Sequence, residues 1–318
     1  MKIPFISNLF KRTGGSGPKI VVCFRGKKVV FIKVKKAADK IKISSYTVRE
    51  LPALTSPELA KLCGSIGMSG GSYSTLLDST EYQMQVVEAP NVPPEELKAA
   101  IRWHLKDMLT YHVDEATLDV LPIPSSNPAH DKAGSVYVVA AQSVLIKKRM
   151  NLFAQANMAL EVIDIPEMAQ RNIAALFEDA GRGLAVLAFD DRASMLTFTG
   201  GGELYLARRI DISLGQLQDA DESLRQQYFE RLELEVQRSM DYFDRQFKHL
   251  SVNRLLIAAP AQAGLVERLR DNVSVPVERL DLSHVLDMSK APELDGEEAQ
   301  CDAFYALGAA LRQEVQAS

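Results

Sequence analysis

VEAPNVPPEELKAAIRWHLKDMLTYHVDEATLDVLPI, from Val87 to Ile123, decides how this chain is read. The segment predicts a strand, a proline-started helix, a short turn and a second strand. Pro93 and Pro94 suit a helix start, because proline lacks the N–H that the first turn leaves without an acceptor. Glu95 and Glu96 then fall where the helix dipole favours negative charge. Leu97, Ile101, Leu105 and Met108 recur at steps of four and three and so predict one buried face. Trp103, the single tryptophan, stands between Arg102 and His104 and off that face, and Tyr111 follows in the turn.

Working outward, residues 19–34 predict two strands around the turn Arg25-Gly26-Lys27, and residues 41–48 a third. Pro57 to Ser65 reads as a short helix, Ser69 to Ser74 as a Gly/Ser loop, and Tyr82 to Glu88 as a strand. After the quoted segment come a polar loop (Ser125 to Gly134), a β-rich run (Ser135 to Ala141), a helix (Val144 to Met158), a strand (Leu160 to Ile165) and a helix ending at Gly181. The pattern then restarts with strands at 184–189, 195–199 and 203–210, Gly200 to Gly202 supplying the turn between the last two. A long helix at 222–247 is expected to bury Leu224, Tyr228, Leu232, Val236, Met240, Phe243 and Phe247. Two runs that each open on three strands predict duplicated α/β lobes. The expected organisation is a flexible tail over 1–18, a first lobe over 19–180 carrying a small inserted subdomain at about 82–141, and a second lobe over 181–318.

The 318 residues suffice for two sizeable cores. A net charge of −4 gives no basic field for nucleic acid. Cys23, Cys63 and Cys301 are too sparse and too far apart for a disulfide framework or a zinc site and suit a reducing compartment. No run reaches the roughly 18–20 apolar residues of a membrane span, and MKIPFISNLFKR has no cleavage-site pattern. It reads as a frayed tail or a short amphipathic surface contact. The five histidines lack metal-ligand spacing, the serines lack a nucleophile elbow, and Lys147-Lys148-Arg149 reads as a solvated helix face.

Several blocks carry a resemblance. They are the Val87–Ile123 segment, IDIPEMAQRNIAALF (163–177), LAVLAFDDRASMLTFTGGGELYLARRIDI (184–212), LEVQRSMDYFDRQF (234–247), and the run NRLLIAAPAQ, VPVERLD and FYALGAALR. In this order, across about residues 19–313, the chain resembles the type IV pilus assembly PilM family, most nearly its MSHA-pilus type. The resemblance implies an actin-like, ribonuclease H-like duplicated fold whose first lobe has subdomains 1A and 1C. It implies a cytoplasmic protein, peripheral at the inner membrane, that binds the cytoplasmic tail of a PilN-like bitopic protein between 1A and 1C. The family usually shows prolines around the turn aromatic, whereas Thr110 and His112 flank Tyr111 here. Type II secretion L-type proteins share the fold but add a transmembrane helix after it, and none is legible before Ser318.

An actin-like ATPase holds phosphate on two Asp-X-Gly hairpins and the nucleoside on a Gly-Gly run, since glycine lets amides approach phosphate and Asp holds Mg²⁺ through water. Here the first loop is Phe24-Arg25-Gly26-Lys27, without a carboxylate and with Arg25 at a glycine position. The second is Ala188-Phe189-Asp190-Asp191-Arg192, with Ala188 at the Asp position and Asp190 at the glycine. The third is Ala258-Ala259-Pro260-Ala261, without glycine. The expectation is therefore a scaffold without cofactor, metal or ATPase activity. An ATP-binding relative is the rival, rescued only if Asp190 holds Mg²⁺. Trp103 and Tyr111 are the candidate partner anchors.

Overall fold

The computed structural model describes residues 18–36, 41–51, 53–93, 95–125, 134–219 and 221–312. All but the last residue of the tail expected over 1–18, Pro94 and most of the loop from Ser125 to Gly134 lie outside them. The described chain divides into two compact units, one within Met1–Pro166 plus Ala309–Ser318 and the other within Glu167–Gly308. The sequence boundary near 180 differs from this because α4 (Pro166–Ala174) packs into the second unit. Its buried Gln170 amide donates to the carbonyls of Val186 and Met195 and to Thr197 Oγ1 at 2.8–3.1 Å.

The first unit is built on a sheet ordered β3-β2-β1-β4-β8. Strands β1 (Lys19–Arg25), β2 (Lys28–Lys36) and β3 (Ile41–Glu50) form an antiparallel meander. Strands β4 (Ser72–Leu76) and β8 (Ala159–Asp164) continue the sheet in parallel. Both faces are buried, which explains the unbroken apolar runs of β1 and β2. On one face Ile20, Val22 and Phe31 meet Leu59 and Cys63 of α1 (Ser56–Ser65) and Phe153 of α3 (Ser143–Gln155). The Gly/Ser loop expected at 69–74 is in its second half the strand β4. Its polar SYSTL sequence is satisfied internally: the Tyr73 hydroxyl donates to Met68 O and the buried Thr75 hydroxyl to Val22 O.

Between β4 and α3 the chain forms a separate antiparallel sheet, β5 (Tyr82–Glu88), β7 (Ser135–Gln142) and β6 (Ala116–Pro122), with β7 central. Helix α2 (Leu97–His104) closes its core through Ile101 and Leu105, over Leu118, Val120, Val138 and Ala140. The helix is shorter than expected, and Met108 is 40% exposed rather than buried. Arg102 donates to Val113 O and Ala116 O, which draws the returning chain across the end of α2. Leu109 rather than Met108 then turns to the core.

The second unit repeats the plan as β11-β10-β9-β12-β13. Strands β9 (Gly183–Phe189), β10 (Ser194–Gly200) and β11 (Glu203–Ile210) form the meander, and β12 (Val252–Ala258) and β13 (Val277–Arg279) run parallel beyond it. Gly201 and Gly202, at φ of 60° and 77°, make the left-handed turn between β10 and β11. After the one-turn α5 (Leu214–Leu217), α6 (Glu222–Gln246) starts at Asp221, whose carboxylate accepts from Ser223 N and Leu224 N. Phe229, Leu232, Val236, Met240 and Phe243 are its buried stripe, with Phe243 stacked on Phe198 at 4.7 Å. Leu224 is 42% exposed, against expectation. It precedes Phe229 by five residues, about 140° around a helix. Helices α7 (Leu265–Arg270) and α8 (Glu297–Ala310) complete the unit. Gly308 approaches Ala169 so closely that a Cβ there would lie 2.1 Å from the Ala169 carbonyl oxygen.

Candidate functional site

Three loops occupy the positions that hold a nucleotide in an actin-like ATPase, at 24–27, 188–192 and 258–261. In the β1–β2 hairpin Arg25 pairs with Lys28, so only Gly26 and Lys27 stand outside the ladder. Gly26 is left-handed at φ 58°, and Leu51 N donates to Lys27 O, clasping the turn from β3. A turn this tight offers no run of outward amides for a phosphate.

The β9–β10 loop has such amides, but they are occupied. Phe189 pairs with Ser194, leaving 190–193 as the turn. Asp190 Oδ1 accepts from Arg192 N at 2.7 Å and from Ala193 N at 2.8 Å, and Oδ2 accepts from Arg209 at 3.1 Å. The loop thus encloses its own anion, and Asp190 is committed to the turn. Asp191 is exposed. Ala188 is fully buried in β9 between Met195 and Ala258.

The third loop repeats this solution. Pro260 has no N–H, and Ala261 N donates to Glu297 Oε2 at 2.9 Å. Glu297 is also ion-paired with Arg279. Beside Ala258 and Ala259 lies a pocket of about 150 Å³ bordered by Arg279, Asp281, Asp295, Glu297 and Gln300. That is below the roughly 300 Å³ of a typical small-molecule site, and its rim is largely acidic. Burial pushes the Asp281 carboxyl up, but hydrogen bonds from Ser283 and the Gln300 side chain and the nearby His284 outweigh it and hold the group below its ordinary range.

A polar spine that sequence reasoning missed runs through the first unit. Arg149, expected on a solvated face, is buried. Its guanidinium donates to Leu76 O at 3.2 Å and to both Glu81 oxygens at 2.9 and 3.0 Å, and lies 4.9 Å from the Phe24 ring centroid. Asp164, fully buried, accepts from Ile165 N and from Arg312 at 2.8 Å. Burial pushes the Cys23 thiol up to about 12. The only sequence signal was a cation among apolar neighbours in a run already explained as surface charge.

The two candidate anchors part company. Trp103 is 78% exposed on α2. Tyr111 packs against the core of the three-stranded sheet, and its hydroxyl is buried without a hydrogen-bond partner, which raises its pKa by desolvation. Among the described residues no cluster of three or more His, Cys, Asp or Glu could hold a metal, and no helix is long and apolar enough to cross a membrane.

No family model and no curated protein matches the chain. Among solved structures it is similar to a chain of the PilM-PilN type IV pilus biogenesis complex, at 18% identity with a TM-score of 0.71 over 93% of this chain and 98% of that one. The cytoplasmic domain of EpsL, an inner membrane component of the type II secretion system of Vibrio cholerae, is similar at 11% identity and a TM-score of 0.48, over 76% and 82% of the two chains. A Bacteroides thetaiotaomicron protein with an actin-like ATPase fold gives 9% and 0.48 over 88% and 96%. With two units of the same strand order, the chain has the actin-like, duplicated α/β fold.

Proposed function

We propose that this chain is a non-hydrolysing actin-like scaffold of type IV pilus biogenesis. In this reading it works at the cytoplasmic face of the inner membrane and captures the cytoplasmic tail of a PilN-like bitopic protein through its first unit. The observation that carries the loss of hydrolysis is the filling of two nucleotide loops by the protein's own carboxylates, Asp190 on the amides of Arg192 and Ala193 and Glu297 on that of Ala261. A phosphate entering the β9–β10 loop would displace the bonded Asp190 carboxylate and face its charge, and a nucleoside at the third loop would have to displace Glu297 from Ala261 N. The likeness to a chain of the PilM-PilN complex supports the partner, and the order of the sequence blocks supports the narrower, MshI-like assignment to an MSHA-type pilus.

Calorimetry tests both halves. Mg-ATP is expected to give no saturable heat, and the PilN-like tail peptide to bind. A low-micromolar ATP dissociation constant, about −8 kcal/mol, would restore the ATP-binding reading, and failure of the tail to bind would remove the scaffold reading.

A further inference from the structure

Charge is unevenly shared along this chain. The first 42 residues hold 12 of its 37 Lys and Arg but one of its 41 Asp and Glu, so they carry a net charge of +11 and the remainder −15. The described part of this run belongs to the β1–β2–β3 meander, with β3 at the edge of its sheet. The register sorts the cations. Val29, Phe31, Lys33 and Lys35 share one face of β2, and opposite them on β3 stand Arg49, Thr47, Ser45 and Lys42. Val29 and Phe31 are buried in the core with Leu59 of α1 and Phe153 of α3, whereas Lys35 and Arg49 are exposed and Lys33 and Lys42 half-exposed. The paired residues on this face include no carboxylate: Glu50 pairs with Lys28 on the other face, and Asp39 lies outside the described residues. Adjoining α1 contributes Glu58 and Lys61, one charge of each sign. The exposed Glu161 of β8 stands at the opposite edge of the sheet, three strands or about 14 Å from β2 and beyond a Debye length. Lys33 donates to Gly67 O at 3.1 Å, just past α1, and keeps two further N–H donors. Lys35 directly faces Lys42, and like charges placed opposite each other cost stability.

We infer that Lys33, Lys35, Lys42 and Arg49 form a face that rests on an anionic phospholipid surface; this rests on the membrane-face placement proposed above. The match is one of charge and shape. A two-stranded ribbon presents its cations in one plane, and each Lys or Arg brought to an anionic leaflet is attracted to it. The acidic remainder of the chain is repelled by the same surface, so the field turns the meander toward the lipid. Duplex or single-stranded nucleic acid is a poorer fit, because no exposed aromatic stands on this face to stack a base. The face also has no exposed large apolar side chain to insert, so the contact is shallow, reversible and sensitive to salt. It orients the protein on the membrane while a membrane partner supplies the second hold that stable attachment needs.

The test is cosedimentation of the full chain with phosphatidylglycerol vesicles at low salt, with phosphatidylcholine vesicles as the neutral control. Binding to the anionic vesicles alone is expected, weakening at least about tenfold as salt is raised toward physiological strength. Lys35→Gln combined with Lys42→Gln is expected to cost about fivefold per lysine, about 25-fold together, without lowering the melting temperature, since a like-charge pair is removed. Lys147→Gln combined with Lys148→Gln makes the same charge change on exposed positions of α3 and is expected to leave binding within about threefold of wild type. An equal loss in that control would reduce the effect to net charge and overturn the inference. Binding by the Lys35 and Lys42 double variant within about threefold of wild type would place the contact elsewhere in the chain and overturn it too. Tighter binding to duplex DNA than to the vesicles would assign the face to nucleic acid instead. A wild-type chain that binds the PilN-like tail peptide but no vesicle overturns this inference and leaves the scaffold reading standing. Vesicle binding as expected without tail binding keeps the lipid contact and removes the scaffold reading.

Discussion

The two units share one strand order and differ in what interrupts it. Between β12 and β13 the second unit places only a 3₁₀ turn and α7, whereas between β4 and β8 the first places a whole three-stranded sheet, α2 and α3. Their ionic interiors differ in the same sense. The second unit spends carboxylates on loop amides near its surface, and the first buries two Arg–carboxylate pairs at the base of its insert and sheet. One unit thus satisfies its loop amides with its own carboxylates, and the other carries an added sheet with ion pairs drawn into its interior.

The largest expected effect lies in the two cores. Phe153 and Phe243 are each fully buried, one per unit. Replacing either with Ala is expected to cost about 3–5 kcal/mol, read as a lowered denaturant midpoint. A loss below about 1 kcal/mol at Phe243 would mean that the stripe of α6 does not hold its unit.

The ionic contrast predicts the next effect. Arg149→Ala strands Glu81 and opens the carbonyl of Leu76, and is expected to cost about 3 kcal/mol. Arg209→Ala removes a half-exposed pair and is expected to cost at most about 1 kcal/mol. Equal losses in chemical denaturation would erase the distinction between the two units.

The smallest effect is alkaline. Cys23 in the first unit and Cys301 in the second are both pushed by burial from 9.0 to about 12. The folded state therefore keeps protons that the unfolded chain releases above pH 9, so stability is full below pH 9 and falls as pH rises toward 12. Urea midpoints at pH 8 and pH 10.5 should differ in that direction, and Cys23→Ala with Cys301→Ala should reduce the difference.

The meanders, the long helix and the three-stranded insert were legible because apolar periodicity reports burial directly. Strand β4 was not, because SYSTL carries turn-like serines and a buried threonine whose hydroxyl finds its acceptor only at the distant Val22 O. Arg149 was misread for the same reason: its partners lie at Leu76 and Glu81, some 70 positions away. The absent glycines were visible at Arg25, Asp190 and Ala258 to Pro260, and the absent acid at Ala188, but the bonds by which carboxylates fill two of the loops were not. Asp190 was read as a residue at a glycine position that could at most hold Mg²⁺, and Glu297, acting from 36 positions beyond Ala261, carried no motif. Trp103 was separable from the buried face by helical phase alone, but Tyr111, in an irregular turn, had no phase to read.

The Asp164–Arg312 pair spans 148 positions and lies in the first unit, so this unit is finished by residues made after the whole second unit. Residues 167–308 take roughly 7–28 s to synthesise at ordinary rates. During that interval Asp164 has no Arg312, and a carboxylate without its partner resists burial. The nascent first unit would therefore stay ajar at the end of β8, acquiring its final lock only when the last helix emerges, so that a ribosome stalled near codon 300 should leave a protease-sensitive amino-terminal half.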